Sequence, residues 1–229
     1  MNTFDFRIWN RHVFIEIEGE NLLIDTGSPQ SFSTTGMIKI ADKEFQVPKG
    51  LLSVNSQYLT NQLSYRFDGL IGMDIMKEFT VCFNSPLFGN FIGFFDKNDA
   101  TGFPLSESKN IMGCPCIELN VNNIIGSYIF DTGAPISYCN PKTLGNLRQC
   151  GSTSDFSPLL GEDEFDVTLY YTNVSFKGGS FNAIFGKMPD KLEFILNSFG
   201  IDGIIGFDLL NHNRLTLSEG KLYLPPQGI

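Results

Sequence analysis

The tripeptide Asp-Thr-Gly occurs twice in the chain, starting at Asp25 and again at Asp131. Each copy follows an apolar run, "NLLI" and "SYIF", which predicts a buried strand that ends at the carboxylate. An isolated carboxylate is usually solvated. Two carboxyl groups that meet in a partly dry site cannot both ionise easily, so one of them keeps a proton. The pair then offers a base and an acid at one place, and the repeat predicts acid–base chemistry.

A second repeat indicates that the chain is internally duplicated. The segment "FDGLIGMDIMKEFTVCF" starts at Phe67 and aligns without a gap with "IDGIIGFDLLNHNRLTL", which starts at Ile201. The identical pairs are Asp68 and Asp202, Gly69 and Gly203, Ile71 and Ile205, Gly72 and Gly206, and Asp74 and Asp208.

The pattern along the chain predicts strands with very little helix. Alternating runs joined by Gly or Asn turns predict hairpins in "VFIEIEGENLLI", "CIELNVNNIIGSYIF", "IKIADKEFQV" and "VSFKGGSFNAI". The runs "GNFIGFF" and "GKLYLP" predict a closing strand for each half, and "MDIMKEF" and "FDLLNHN" predict one or two helical turns. We expect an N-terminal lobe at 1–100, a polar linker at 101–113 and a C-terminal lobe at 114–229.

These motifs resemble the pepsin-like and retropepsin-like aspartic peptidases, in a single-chain form with two lobes. In that family each lobe carries two apolar residues before Asp-Thr/Ser-Gly and, later, an apolar-apolar-Gly segment that supports the loop. The matching segments are 23–27 with 70–72 and 129–133 with 204–206. The resemblance covers nearly the whole chain. It implies an all-β fold of two pseudo-symmetric, barrel-like lobes with the active site between them.

The resemblance also implies roles for the residues of the two loops. The catalytic pair is Asp25 and Asp131, which share one proton, as is known of this family. The supporting residues are Thr26, Gly27, Ser28, Thr132, Gly133 and Ala134. The glycines permit tight turns, and the threonine hydroxyls are expected to bond across the lobe junction.

The two loops differ in the residue that follows the glycine. Ser28 could donate a hydrogen bond to Asp25, whereas Ala134 offers Asp131 no such donor. A donor favours the ionised form of a carboxyl group. We therefore expect Asp25 to carry more of the negative charge, and an Ala134→Ser substitution to lower the pH optimum.

The second half holds about thirty more residues after its Asp-Thr-Gly loop than the first half. The segment "SDFSPLLGEDEFDVTLYYTNVSF" predicts a strand, an acidic turn and a strand. We expect a single flap from the C-terminal lobe, with its tip near Gly161 to Glu164 and with Phe165 or a nearby apolar side chain over the aspartates. The alternative is a hairpin packed on the outside of its own lobe.

The composition and the remaining motifs narrow the function further. A net charge of -9 argues against nucleic acid or an anionic membrane as a partner. No apolar stretch is long enough to span a membrane, and no signal peptide is visible, so we expect a cytoplasmic protein unless a segment preceding residue 1 was removed. We expect no metal and no cofactor: His12 and His212 flank no nucleophile motif, and the acidic run 162–166 lacks calcium-loop spacing.

The chain has five cysteines, and an odd, irregular set does not indicate a disulfide framework. Cys139 and Cys150 could pair in an exported protein, while Cys114 and Cys116 are read as separate thiols.

The sequence thus predicts an aspartic endopeptidase that acts on peptides or proteins as a monomer, at acidic to mildly acidic pH. The alternative is a catalytically retired pepsin-like protein that only binds peptides. A retropepsin-like homodimer is unnecessary, since one chain supplies both halves.

Overall fold

The computed structural model describes residues 2–51, 54–84, 87, 89–97, 103–105, 110–158, 160 and 162–224. It is an all-β fold of two lobes, 53% strand and 16% helix, as the sequence predicts. Among the described residues, no helix is both long and apolar enough to cross a membrane.

The strands of the first half form most of one curled sheet. They are β1 (Asn2–Trp9), β2 (His12–Ile17), β3 (Glu20–Ile24), β4 (Phe32–Ser33), β5 (Met37–Ile40), β6 (Lys43–Gln46), β7 (Gly50–Leu51), β8 (Val54–Asn55), β9 (Gly69–Ile71), β10 (Thr80–Asn84) and β11 (Phe91–Phe95). β5 and β6, and likewise β7 and β8, pair as separate hairpins.

The strands of the second half are β12 (Phe103–Pro104), β13 (Asn110–Ile111), β14 (Cys114–Val121), β15 (Ile124–Phe130), β16 (Ser137–Cys139), β17 (Gln149–Ser157), β18 (Glu162–Phe176), β19 (Gly179–Lys187), β20 (Gly203–Ile205), β21 (Leu215–Ser218) and β22 (Lys221–Leu224). Eight of them form the order β13-β14-β15-β20-β16-β19-β18-β17. β14 also pairs with β18, so the inner strands close into a ring.

The two halves share one sheet through their closing strands. The curled sheet has the order β12-β22-β21-β10-β11-β1-β2-β3-β9-β4, so β21 and β22 join strands of the first half. β12 and the buried Leu105, which bonds to Leu222, also join it. Much of the expected linker at 101–113 lies outside the described residues, and the lobe boundaries remain a prediction.

Five helices connect the strands in the described part of the chain: α1 (Ser56–Leu63), α2 (Met73–Met76), α3 (Pro141–Leu144), α4 (Asp190–Ser198) and α5 (Phe207–His212). The two short helices expected from the sequence are α2 and α5. The longer α1 and α4 were not predicted. Each buries one leucine stripe, Leu59 with Leu63 and Leu192 with Leu196, at the i, i+4 spacing of an amphipathic helix.

The largest buried cluster draws on both halves. Ile24 and Phe130, the residues that precede the two aspartates, are fully buried in it. Phe83 of β10 meets the Phe130 ring edge-on, with the ring centroids 6.2 Å apart. The ends of both strands that lead to the aspartates are therefore fixed in a common core rather than in two separate ones.

Candidate active site

Each aspartate ends a strand that runs parallel to a strand from the later glycine-containing segment of the same half. β3 pairs with β9, and β15 pairs with β20. The backbone N–H of Asp25 donates to Ile71 O, and that of Asp131 donates to Ile205 O, both at 3.0 Å. The two loops therefore have the same backbone support.

Asp68 and Asp202, the first aspartates of the two repeated segments, hold these parallel strands in register. An Asp68 carboxylate oxygen accepts from the N–H of Asn21 at 2.8 Å, and one from Asp202 accepts from the N–H of Ser127 at 2.9 Å. Each bond ties the start of the inner strand to its neighbour.

The last aspartates of the repeated segments brace the backbone behind each loop. Ser31 donates to Asp74 at 2.5 Å, and Ser137 donates to Asp208 at 3.1 Å. The hydroxyl oxygen of Ser31 also accepts from the N–H of Gly72, and that of Ser137 accepts from the N–H of Gly206. These identities in the sequence are thus matched contacts in the fold.

The two threonines lock the loops together by reciprocal hydrogen bonds. Thr26 Oγ1 donates to Phe130 O and Thr132 Oγ1 donates to Ile24 O, each at 2.7 Å. Each hydroxyl also accepts from the N–H of the opposite threonine, at 3.1 and 3.0 Å. Both side chains are fully buried. The predicted bonds across the junction are therefore present.

The glycines of both loops are required by the closeness of the opposite carboxyl group. A β-carbon at Gly133 would lie 2.6 Å from Asp25 Cγ, and one at Gly27 would overlap the Asp131 carboxyl group. In each loop the glycine N–H donates to the aspartate of its own half, at 2.9 and 2.8 Å. Only glycine lets the loops approach this closely.

The two carboxyl groups are hydrogen-bonded to each other and partly exposed at the surface of the cleft. Burial raises the pKa of Asp25 well above its usual value, and the charge of Asp131 and the bond to it add to the rise, while the N–H groups of Gly27 and Ser28 oppose it. Burial also raises the pKa of Asp131, opposed by the N–H of Gly133, the hydrogen bond from Asp25, and the N–H groups of Ala134 and Gly27. Both carboxyl groups thus have backbone donors, and the two titrate as one pair.

The role expected for Ser28 is wrong. Its hydroxyl donates to Gln30 O at 2.8 Å and not to the Asp25 carboxylate. The hydroxyl-based reason for assigning more negative charge to Asp25 is therefore missing, although the N–H of Ser28 does donate to Asp25. The effect of an Ala134→Ser substitution stays a prediction.

The predicted hairpin in the second half exists as β17 and β18. Its tip includes Pro158 and Leu160, and Gly161 lies outside the described residues. The expected tip is wrong for 162–164, because β18 already begins at Glu162. Phe165 was expected over the aspartates, but this prediction is wrong. Its side chain packs in its own half, against a cluster that includes Leu160 and Tyr138. Phe156 instead reaches across to the first half and meets the ring of Tyr58, with centroids 6.4 Å apart.

The hairpin also lines a cavity between the halves. The cavity has a volume of about 420 Å³ and is bordered by residues 153–156, by Pro135 and Ile136 just after the second loop, and by His12 and Leu63 of the first half. The hairpin thus stands beside the second Asp-Thr-Gly loop. Whether it works as a flap stays a prediction.

In the first half, the β5–β6 hairpin does not take this position. Ile38 and Ile40 of β5 are buried in the main core, and Lys43 at the β5–β6 turn donates to Glu78 O. The β5–β6 hairpin is therefore packed against its own half.

A thiol that the sequence did not single out lies beside the dyad. Cys114 is buried, and its Sγ donates to Gly27 O at 3.3 Å. Burial and the charges of Asp131 and Asp25 raise the pKa of this thiol to about 12, so it stays protonated. His12 of β2 occupies the position in the first half that Cys114 of β14 occupies in the second. Burial lowers the pKa of the His12 ring to about 4, so the ring is neutral above that pH. The sequence could have predicted that Cys114 and His12 occupy equivalent positions, because the β2–β3 and β14–β15 hairpins have the same register.

The remaining candidate residues form no competing site in the described part of the chain. All five cysteines are free; Cys139 is buried, Cys150 is exposed, and the two do not pair. His212 is exposed and stacks on Phe181. No group of three or more His, Cys, Asp or Glu side chains among the described residues is placed to hold a metal ion.

No protein-family model matches the chain, and the comparison with curated proteins finds no match either.

Proposed function

We propose that the chain is an aspartic endopeptidase that hydrolyses peptide bonds with water activated between Asp25 and Asp131. One observation carries the proposal: two copies of one loop, locked by reciprocal threonine bonds, bring two carboxyl groups within hydrogen-bonding distance. A surface turn with a capping aspartate would need neither the duplication nor the mutual approach.

The reaction uses both protonation states of the pair. Ionised Asp131 takes a proton from a water molecule whose oxygen bonds to the peptide carbonyl carbon. Protonated Asp25 gives its proton to the carbonyl oxygen, which yields a tetrahedral diol. Collapse of the diol breaks the C–N bond as the nitrogen takes a proton from Asp131, and Asp25 is reprotonated by the diol hydroxyl.

Backbone donors surround both carboxyl groups. They stabilise a negative charge on either aspartate as the roles alternate, and they need no side chain to reorganise during the reaction. The partly exposed carboxyl groups leave room for a substrate above them. Both halves come from one chain, so we propose that a monomer is active on peptide or protein substrates, at acidic to mildly acidic pH.

The test is cleavage of a denatured protein mixture between about pH 3 and pH 7, with Asp25→Asn as the control. We expect cleavage by the wild-type protein with a bell-shaped pH dependence and none by the variant. Binding of peptides without cleavage at any pH would favour the catalytically retired, peptide-binding alternative.

A further inference from the structure

A second pocket lies at the opposite side of the catalytic loops from the hairpin. It has a volume of about 390 Å³, and its walls include Pro29, Met73, Asp74 and Gly113. We call it the Asp74 pocket. It borders the first catalytic loop, because Pro29 follows that loop directly and Cys114, next to Gly113, donates to Gly27 O.

The equivalent place in the other half is filled by an arginine. Arg11 donates to Asp208 at 2.6 Å, and its guanidinium group lies over the Phe207 ring, 5.5 Å from the centroid. Asp208 is only 10% exposed at its side chain. A first-half cation thus neutralises a second-half carboxylate beside the second loop.

The backbone makes Gly113 the counterpart of Arg11. Asn10 and Arg11 form the two-residue turn between β1 and β2, and Met112 and Gly113 form the turn between β13 and β14. All four residues are left-handed, with φ of 46° and 64° in the first turn and 55° and 94° in the second. β2 and β14 then lead to the two catalytic hairpins in the same register.

Asp74 and Asp208 also occupy matching positions, but of the two only Asp208 forms an ion pair with a cationic side chain among the described residues. Asp74 Oδ1 accepts from Ser31, as Asp208 does from Ser137, while Oδ2 of Asp74 has no donor among the described residues. Two lysines line the pocket without pairing with Asp74: Lys97 pairs with Glu78 at 3.7 Å, and Lys77 has no ion pair in the described part of the chain. Position 113 is a glycine, so this turn supplies no side chain at the place that Arg11 takes in the other half.

We propose that the Asp74 pocket binds a cationic side chain, arginine or lysine, of the peptide substrate. The bound cation takes the place that Arg11 takes at Asp208. Its aliphatic part packs on Met73 and Pro29, and its charge meets the free oxygen of Asp74. The acidic net charge of the protein, -9, also favours cationic peptides. The proposal rests on the proposed function only in treating the ligand as a substrate.

Cleavage profiling of a peptide library at about pH 6, where ordinary carboxyl groups are ionised, tests the proposal in the active protein. We expect arginine or lysine to be enriched at one fixed position relative to the cleaved bond. Exchange of that arginine for citrulline, which has the same shape without the charge, should lower kcat/KM about fivefold, or ~1 kcal/mol. Cleavage with no enrichment of a cation at any position would overturn the proposal.

Two variants of the pocket sharpen this test. Asp74→Asn should remove the difference between arginine and citrulline, whereas Glu44→Gln, an exposed carboxylate outside the pocket, should preserve it. Gly113→Arg should fill the pocket from within and abolish the preference. Among the described residues, the nearest neighbour of a β-carbon there lies at 3.6 Å, and Arg11 already has a positive φ in the matching turn. A cation preference that survives in a folded Asp74→Asn protein contradicts the proposal.

A binding measurement separates the pocket from catalysis. Acetyl-arginine-amide and acetyl-citrulline-amide are titrated into the protein while the amide signals of Met112, Gly113 and Asp74 are followed by NMR. We expect the arginine compound alone to shift these signals, and the shifts to vanish in Asp74→Asn. Shifts without any peptidase activity would uphold the pocket and refute the peptidase, while activity without shifts would do the reverse.

Discussion

The two halves of the molecule agree closely around the aspartates and differ away from them. The backbone bonds of the two aspartates, the glycine N–H bonds and the threonine bonds recur with distances that match to about 0.1 Å. The hairpin of β17 and β18 and the Arg11–Asp208 pair, in contrast, have no counterpart in the described first half. The parts that must meet each other are duplicated, and the parts that face a ligand are free to diverge.

The difference between the halves can be followed to single side chains. Tyr138 of β16 donates to Asp155 of β17 and so ties the hairpin to the strand beside the loop. The matching residue of the first half is Phe32, which has no hydroxyl group and is fully buried in a core cluster. The Tyr138 hydroxyl thus holds the β17–β18 hairpin, which has no counterpart in the described first half.

The largest expected effect concerns the part where the halves agree. Asp25→Asn, Asp131→Asn and the double variant should each lower kcat/KM by about 10³-fold or more, because one carboxyl group cannot serve as both acid and base. The losses should not add, since either change disables the same pair. A single variant with activity within about tenfold of wild type, ~1.4 kcal/mol in barrier, would break the equivalence of the halves.

The next effect tests whether the threonine lock is symmetric. Thr26→Val and Thr132→Val each remove a hydroxyl that donates to one buried backbone group and accepts from another. Each should lower the free energy of unfolding by about 2–4 kcal/mol, measured by urea denaturation.

Thr172→Val provides the matched control, because this buried threonine makes only a longer bond, at 3.3 Å to Asn173 O. Losses that differ by more than about 1 kcal/mol between Thr26→Val and Thr132→Val would show that the lock is not shared equally.

A smaller effect is expected where the halves differ. Tyr138→Phe removes the bond to Asp155, whose pKa burial raises and this bond lowers. The hairpin should then be held less firmly beside the cleft, and kcat/KM should fall about tenfold, or ~1.4 kcal/mol. Tyr128→Phe, which removes another buried hydroxyl of the second half, should change kcat/KM less than twofold. Equal effects of the two variants would mean that the hairpin has no part in turnover.

The smallest effect follows from the raised pKa values of the pair. A carboxyl group whose pKa is higher in the folded state stabilises the fold below its unfolded pKa, and that contribution is lost as pH rises through the folded pKa. The stability of the wild type should therefore fall between about pH 4 and pH 8 by more than that of Asp25→Asn, by roughly 1–2 kcal/mol. Asp155 is present in both proteins and cancels. Parallel stability profiles in thermal unfolding would mean that folding does not raise the pKa of Asp25.

Much of the duplicated part could be predicted from the sequence, because it rests on local signals. The Asp-Thr-Gly loops, the alternating strands and the glycine pairs each have a spacing that only one arrangement satisfies. The placement of β21 and β22 in the sheet of the first half could not be predicted, since strand order depends on partners that are distant in sequence. α4 left a signal that could have been used: Pro189 and Asp190 start it, and Leu192 and Leu196 share one face.

The placement of the hairpin residues shows why side-chain direction is harder to predict. The pairing of β17 with β18 shifts register between Asp155 and Ser157, so the simple alternation of faces fails at this point. Phe156 therefore faces the first half, while Phe165, opposite Asp155, packs in its own half. The Ser28 error has a similar origin, because the nearby Gln30 carbonyl competes for its hydroxyl.

The central claim is that Asp25 and Asp131 act on one substrate carbonyl as a single pair. A crystal structure with a statine-type inhibitor, whose hydroxyl group replaces the attacked water, tests this most directly. We expect that hydroxyl to lie within hydrogen-bonding distance of both carboxyl groups, about 2.5–3.0 Å from each. An inhibitor bound away from the pair, or bonded to only one of the two aspartates, would contradict the account.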